Sequence, residues 1–280
     1  MGSSPPWVPV LVALSILPRG LAWSASLPDD ETHALPCRPT IACTADLVAP
    51  GTLELEVGYL HRRLSGETNQ DSVPFLVKLT LARWVQLQVG SNGPTFANKP
   101  VPTGYVDDVA SGFKFHLTDQ VGLLPSTSIS AELSVPVGAA QGFLRTYDAL
   151  FTAYVTKDFA WLHADLNLGL NLWRLEGPVA PQPWSALALS AALPRGFTVM
   201  LETYVFADAA PISRKDAGLL AAVSYFPKPW LVFDTGVDLG FIHSTRTWSA
   251  FVGMTVVLVR LWETTSAQPV TRSGTSAALP

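Results

Sequence analysis

The histidine and carboxylate side chains are the residues of this chain that could carry acid–base chemistry. His163 and Asp165 stand two positions apart in "WLHADLNLGLNLW" (Trp161–Trp173). Side chains two positions apart in a strand share a face, so the pair could form a base and its orienting carboxylate. A hydrolase, such as a membrane-embedded lipid hydrolase, also needs a nucleophile in register with that base. None of the five histidines lies in a recognisable nucleophile or metal motif: His33, His61, His116, His163 and His243.

We therefore interpret His163 and Asp165 as two polar residues on one face of a strand. The sequence indicates no catalytic residue, no metal ion and no cofactor, and we do not expect an enzyme.

Cys37 and Cys43 are the second group with chemical potential, and five residues separate them. In an exported protein this spacing predicts a small disulfide loop. A metal site would require further ligands, and only His33 is close in sequence. We expect a Cys37–Cys43 disulfide.

The charge of the chain excludes one class of partner. Its formal net charge is −4, and charged residues make up 14% of its 280 residues. Because no basic stripe is available to follow phosphates, a nucleic-acid binder is not expected.

The N-terminal stretch "WVPVLVALSILP" (Trp7–Pro18) is apolar and is followed by small residues from Gly20 to Ala25. It is too short to span a bilayer as a helix and is typical of the core of a signal peptide, although no Lys or Arg precedes it. We predict a signal peptide over residues 1–24 and a periplasmic N-terminal segment over residues 25–51. A disordered apolar tail is the alternative.

Strict alternation is the dominant pattern from Thr52 onward. In the Trp161–Trp173 stretch, Leu or Ala occupies every even position from 162 to 172, and small polar residues or Gly lie between them. This period of two predicts a β-strand. Twelve such segments occur between residues 52 and 262.

The connections between the segments alternate in length. Short connections are predicted near Arg83-Trp84, Thr118–Pro125, Thr156–Phe159, Pro194–Gly196 and Pro227–Pro229. Longer loops lie between them, the longest being Ser91–Asp107. Short turns alternating with long loops are typical of a transmembrane barrel, with the short turns facing the periplasm. The fold class is therefore all-β: an up-and-down antiparallel β-barrel of about 12 strands, spanning the cell outer membrane over residues 52–262.

The polar face of the segments favours a membrane barrel over a soluble sheet. It consists of Asn, Ser, Gly, Gln and isolated carboxylates, whereas a soluble sheet exposes many Lys, Glu and Thr side chains. Tryptophans fall near the predicted strand ends, as in an interfacial girdle. Four of them count onto the lumen side, so either the strand ends are irregular or these indoles plug the mouths: Trp161, Trp173, Trp184 and Trp230.

With these segments placed, the chain resembles the outer-membrane barrels assigned to the MetA pathway of phenol degradation, a family often labelled simply as transporters. The resemblance runs from about Thr44 to Trp262, and it depends on the order and spacing of individually weak motifs. The matching stretches are "VAPGTLELEVGY", "DDVASGFKFHL", "SAELSVPVG", "VMLETYVF" and "AFVGMTVVLVRLW". Such barrels usually end on an aromatic residue, whereas here residues 263–280 follow Trp262; we predict a disordered tail there. The resemblance implies passage of small, aromatic or hydrophobic solutes.

Parity counting predicts ten charged residues that line the lumen and a solute path: Glu54, Glu56, Lys78, Asp108, Lys114, Glu132, Asp165, Glu202, Asp234 and Asp238. Their acidic excess would favour cations or neutral solutes over anions. The alternative is an ion-paired interior that only stabilises the barrel. The expected partners are outer-membrane lipids, a small-molecule solute and the barrel-assembly machinery. A structural or adhesive surface barrel with a closed lumen, contacting partners through Ser91–Asp107, is the alternative function.

Overall fold

The computed structural model describes residues 32–64, 68–98, 102–137, 147–174, 179–209, 215–242 and 246–262. The predicted signal peptide, the predicted tail over residues 263–280 and His243 lie outside these residues. No helix among the described residues is long and apolar enough to cross a membrane.

The described residues form fifteen strands, which are β1 (Thr52–Leu64), β2 (Asn69–Ser72), β3 (Phe75–Ala82), β4 (Val85–Ser91), β5 (Pro94–Ala97), β6 (Thr103–Val106), β7 (Val109–Thr118), β8 (Ser126–Val135), β9 (Asp148–Phe159), β10 (Leu162–Arg174), β11 (Val179–Leu193), β12 (Phe197–Phe206), β13 (Asp216–Lys228), β14 (Leu231–Gly240) and β15 (Arg246–Arg260). All neighbouring strands pair antiparallel, and β15 pairs with β1 to close the sheet. The closed ring contains β1, β3, β4 and β7 to β15. The prediction of an all-β, twelve-stranded antiparallel barrel is confirmed.

The strands β2, β5 and β6 extend the wall beyond the ring at one end. β2 continues β3 above a break at Val73-Pro74, and β5 and β6 continue β4 and β7. The prediction of one long loop over Ser91–Asp107 is therefore wrong, because much of this stretch pairs as strands: β5 lies between β2 and β6. The prolines misled the prediction, since Pro94 begins β5 and can still accept a hydrogen bond from Val73 N–H through its carbonyl (3.1 Å).

The two ends of the barrel differ in their connections. At the end we call the short-turn end, strands are joined near Arg83-Trp84, Ala160-Trp161 and Pro194–Gly196. Ala160 and Arg195 adopt positive φ angles of 38° and 67°, which tight turns require. The predicted turn at Thr156–Phe159 lies slightly too early, because β9 continues through Phe159. We call the opposite end, which carries β2, β5 and β6, the long-loop end.

The period-two pattern sorts side chains between the two surfaces of the wall. On β10, Leu168 is 51% exposed on the outer surface, whereas Asn167 is 1% exposed inside. The outer surface carries exposed Leu, Val, Ile and Phe side chains around the ring. Such a surface is suited to acyl chains, and a closed sheet leaves no wall edge unpaired in them.

The tryptophans occupy both surfaces. Trp84, Trp161 and Trp248 are exposed near strand ends, as a girdle requires. Trp184 stacks on Phe206 and donates a hydrogen bond to Asn171 inside the barrel (3.2 Å). A Cβ at Gly169 would collide with the Trp184 indole, so this glycine gives the ring its place against β10.

Candidate functional site in the barrel lumen

A segment of irregular backbone, residues 34–46, occupies the short-turn half of the lumen, and we call it the plug segment. Ala34 N–H donates to Pro229 O in the turn between β13 and β14 (2.8 Å), and Ser126 at the start of β8 donates to Asp46 (2.5 Å). Both ends of the segment therefore lie at the short-turn end, and the middle loops into the barrel. The periplasmic segment predicted over residues 25–51 stays a prediction; within its described part, the plug segment lies in the lumen, where its donors satisfy carboxylates of the wall.

The first anchor of the plug segment is a cluster of two glutamates and a lysine. Lys78 on β3 pairs with Glu54 and with Glu56 on β1 (2.6 Å to Glu56), and all three side chains are at most 2% exposed. Glu54 accepts from Leu35 N–H (3.1 Å), while Lys78 donates to Leu35 O (2.6 Å). Glu56 accepts from the N–H groups of Cys37 (2.9 Å) and Arg38 (3.0 Å). The buried charges of the cluster are compensated by one another and by hydrogen bonds with the backbone of residues 35–38.

The second anchor is Glu202 on β12, on another part of the wall. Its two oxygens accept from the N–H groups of Ile41 (2.8 Å) and Ala42 (2.5 Å). Ala42 packs against Ala186, Ala188 and Tyr204. A buried carboxylate bound by two backbone donors fixes the tip of the segment.

Arg38 provides the third anchor through its side chain. Its guanidinium forms an ion pair with Asp234 on β14 (3.2 Å). It lies against Gly58 and Gly253, where an added Cβ would come within 2.5 and 2.6 Å of guanidinium atoms, respectively. Gly58 and Gly253 are register partners on β1 and β15. Because neither has a side chain, the wall leaves room at this point for the guanidinium of Arg38.

The far side of the plug segment rests on β7, β9 and β10. Lys114 donates to Thr44 O and lies 4.3 Å from the centroid of the Tyr154 ring. Ala45 N–H donates to Thr156 Oγ1 (2.7 Å), which donates to Asp165 (2.5 Å). With its amide oriented to satisfy both partners, Asn167 accepts from Cys43 N–H (2.8 Å) and donates to Cys43 O (2.9 Å). The segment thus bridges opposite sides of the wall.

The two cysteines lie inside the plug segment. Cys37 and Cys43 form a disulfide bond with an S–S distance of 2.02 Å. The bond closes the loop that carries Arg38, Ile41 and Ala42, and Cys43 is buried beside Tyr154. The disulfide therefore ties together the parts of the segment that bind Glu56, Asp234 and Glu202.

The structure separates the predicted lumen residues by their contacts. Those that contact the plug segment directly are Glu54, Glu56, Lys78, Lys114, Glu202 and Asp234. Asp165 supports it through Thr156. Asp238 instead accepts from Tyr204 (2.8 Å) and Ser249 (3.0 Å) further toward the long-loop end. Asp108 and Glu132 are half-buried on the same side of the barrel as Lys114.

His163, the candidate base, is held between two carboxylates. Its Nδ1 lies 2.7 Å from Asp158, and its Nε2 lies 3.0 Å from Asp165. Both ring nitrogens of His163 are thus engaged by carboxylate groups.

Sequence analysis missed an apolar and aromatic lining that runs from the middle of the lumen toward the long-loop end. Leu60, Met200, Leu220, Ala222 and Phe251 pack together on the inner surface of the wall. A second group joins Trp184, Tyr204 and Phe206, and Trp173 donates nearby to Gln182 (2.8 Å). The apolar residues on both faces of the Leu219–Val223 stretch were the available signal. No cluster of three or more His, Cys, Asp or Glu in the described part of the chain could hold a metal ion.

Comparisons with known proteins support the architecture. No protein-family model matches the chain, and no curated protein does. Among solved structures, an outer membrane channel from Pseudomonas putida F1 matches with a TM-score of 0.58 at 10% identity, over 83% of this chain and 100% of that one. The KdgM porin in complex with disordered oligogalacturonate matches with a TM-score of 0.48 at 10% identity, over 72% and 99%. At this identity, the likeness to the Pseudomonas putida channel shows the fold alone.

Proposed function

We propose that this barrel is an outer-membrane channel for small amphipathic solutes, including aromatic ones, and that the plug segment closes its periplasmic end. The observation that carries the proposal is the division of the lumen. Apolar side chains such as Leu60 and Phe251 line the lumen toward the long-loop end, and the rings of Trp184, Tyr204 and Phe206 border the plug segment. The short-turn half is filled by the plug segment, which is held through hydrogen bonds and ion pairs.

The lining of the long-loop half supports an amphipathic solute. Ion selectivity in channels comes from rings of backbone carbonyls or charged side chains along the path. Here Leu60, Leu220 and Phe251 pack together on the inner surface of the wall, and an apolar solute beside them would favourably remove further apolar area from water. Asp238 and Asn171 lie close to the aromatic group and could bind a polar substituent of the same solute. Ligand sites commonly combine an apolar lining with a few polar groups in this way.

The attachment of the plug segment supports a movable closure. Its grip on the wall consists of contacts such as those of Glu202, Glu56 and Asp234, none of them covalent. Each hydrogen bond to a charged group contributes roughly 1.5–3 kcal/mol. Several of these contacts must break together before the plug segment can leave the lumen, so the closed state is strongly favoured. Because none of the contacts is covalent, opening is reversible.

The outer surface and the connections support placement in a bacterial outer membrane. The apolar outer surface would contact lipids, the short turns would face the periplasm, and the barrel-assembly machinery would insert the chain. Export would require the predicted signal peptide. We also propose a distant relationship to the MetA-pathway barrels, on the motifs quoted above.

Solute uptake by proteoliposomes tests the proposal. We expect the wild-type protein to admit phenol-sized aromatic solutes better than sugars of similar mass. Replacing both Leu220→Asn and Phe251→Asn should abolish that preference while the barrel keeps its heat-modifiable gel mobility. Ser249→Ala is the matched control, because it also changes the lumen but leaves the apolar group intact. Equal uptake of both solute classes by wild type and the double variant would contradict the proposal.

A closed structural or adhesive barrel is the second candidate, and the number of anchors on the plug segment favours it. This candidate predicts that no solute enters even when the anchors are removed. Uptake by variants of Glu202 or Arg38 therefore separates the two functions.

A further inference from the structure

The turn between β7 and β8, at the short-turn end, exposes three apolar side chains. Leu123 is 95% exposed, and Val121 and Leu124 are each 68% exposed. A leucine exposed to this degree has almost no contact with the rest of the described chain. Single exposed apolar residues are ordinary, but three within four positions form a patch, and such a patch indicates a partner.

Hydrogen bonds within the turn define its shape. Val121 N–H donates to Leu124 O (3.2 Å), and Leu124 N–H donates to Val121 O (3.0 Å). Between them, Gly122 has a positive φ angle of 56°, which tight two-residue turns require and glycine adopts without strain. Leu123 therefore lies at the tip of a turn of defined geometry.

Contacts with β9 draw the turn toward the outer surface of the barrel. Thr156 on β9 faces inward, where it accepts a hydrogen bond from Ala45 of the plug segment, so its neighbour Lys157 faces outward. Lys157 donates to Gly122 O (2.5 Å) and to Leu124 O (3.5 Å). The patch thus lies beside the outer surface of the wall and not over the mouth of the lumen.

The tip of the turn is level with exposed aromatic residues of the next turn. Ser126 on β8 pairs with Thr156 on β9, and Leu123 lies three residues before Ser126. Phe159 lies three residues after Thr156, so its height along the barrel is similar. Phe159 is 53% exposed, and Trp161 in the adjacent turn is 76% exposed. Because aromatic residues at this position form interfacial girdles, the patch continues the girdle.

We propose that the turn inserts its tip into the lipid leaflet at the short-turn end, with Leu123 and Leu124 among the upper parts of the acyl chains. A lipid fits better than a protein partner because the patch is continuous with the apolar outer surface of the barrel, which faces lipid in a membrane. The stem of Lys157 can lie along this surface while its ammonium group stays at the level of the headgroups. Insertion would fix the depth of the barrel on this side, whether or not the lumen conducts a solute.

Fluorescence quenching in vesicles tests the insertion. Both cysteines of the described chain are joined in a disulfide, so Leu123→Cys introduces a single free thiol for a bimane label. The full-length protein is placed in vesicles of phosphatidylethanolamine and phosphatidylglycerol. We expect a nitroxide on the upper acyl chain to quench this label severalfold more strongly than iodide in the water does.

Asp119→Cys provides the matched control on the same connection. The Asp119 side chain is 91% exposed and contacts the inward-facing His116 (2.8 Å), so its label should be quenched by iodide and little by the lipid nitroxide. Equal quenching by iodide at both positions would overturn the proposal. Association between copies of this chain would shield the Leu123 label from both quenchers until excess lipid separates the copies, and this result would also overturn it.

A charge at the tip provides a second test with the label at another position. In protein labelled through Leu124→Cys, Leu123→Asp should raise iodide quenching severalfold and shift the emission to longer wavelength, because a carboxylate is driven out of the apolar part of the leaflet. Asp119→Asn, which removes a charge on the inner side of the connection, should leave the spectrum unchanged. An unchanged spectrum after Leu123→Asp would contradict insertion of the turn.

Discussion

The two halves of the lumen differ in the inward side chains that fill the interior of the barrel. In the short-turn half, Glu54, Glu56 and Glu202 point inward and bind backbone N–H groups of the plug segment. Toward the long-loop end, inward positions carry Leu60 and Phe251, which belong to the same apolar cluster. Alternation decides which side chains face inward, but what fills the interior decides which of those positions hold charges.

The difference follows from the cost of burying a charge. A carboxylate in a narrow interior needs several donors, and a barrel wall offers none from its backbone because its N–H groups are spent on neighbouring strands. An irregular segment has free N–H groups and can supply them. Most of the inward acidic positions therefore lie where the plug segment passes, whereas Asp238 is satisfied by the side chains of Tyr204 and Ser249.

The largest effect is expected at Lys78. Replacing it by methionine leaves Glu54 and Glu56 without their shared cation, which should lower the free energy of unfolding by about 3–5 kcal/mol. Unfolding in guanidinium chloride, followed by gel mobility, measures this. Lys157→Met is the control, because among the described residues this lysine donates to the backbone carbonyls of Gly122 and Leu124 and its replacement should change stability little. Equal stability of wild type and Lys78→Met would contradict the claim that the buried charges of the short-turn half must be compensated.

Glu202 should control the plug segment rather than the barrel. Glu202→Leu removes the acceptor for Ile41 and Ala42, so the open fraction should rise roughly tenfold or more. Single-channel recordings would show more frequent high-conductance events. Glu132→Leu serves for comparison, since this half-buried carboxylate contacts Ser130 instead. An increase in both variants would mean that charge alone, and not the anchor, sets the conductance.

The disulfide should matter for the plug segment and little for the wall. Changing both Cys37 and Cys43 to serine should destabilise the closed loop by about 2 kcal/mol. We expect faster proteolysis near residues 37–43 while the unfolding transition of the barrel stays in place. A barrel that unfolds earlier to the same extent would show that the segment and the wall form one cooperative unit.

The smallest effect belongs to the long-loop half. Ser249→Ala removes one donor to Asp238 and should lower stability by about 1 kcal/mol. Channel recordings should match those of wild type, because Ser249 contacts no part of the plug segment among the hydrogen bonds described above. A change in conductance as large as that of Glu202→Leu would contradict the claim that conductance depends on the anchors of the plug segment.

The wall could be predicted from sequence because its determinants are local. Alternation over residues such as Leu162–Leu172 fixes both the strand and the face that lies on the outer surface of the barrel, and twelve such stretches give the strand number. The errors fall where local rules compete. At Ser91–Asp107, prolines indicated a loop, although β5 and β6 pair there. The turn predicted at Thr156–Phe159 lies instead at Ala160-Trp161, between β9 and β10.

The plug segment could not be placed because its partners are distant in sequence. Ala42 and Glu202 are separated by 160 positions, and Arg38 and Asp234 by 196. Parity predicted inward carboxylates, but it says nothing about the groups that donate hydrogen bonds to them. Their excess over Lys78 and Lys114 was the one available hint that something else must satisfy them.

The most direct test replaces residues 34–46 by a Gly–Ser segment of the same length and compares single-channel conductance with that of wild type. Heat-modifiable gel mobility shows first that the barrel has folded. If the plug segment closes the lumen, the replaced protein conducts severalfold more current in a steady open state. Identical conductance in a folded barrel would contradict the account.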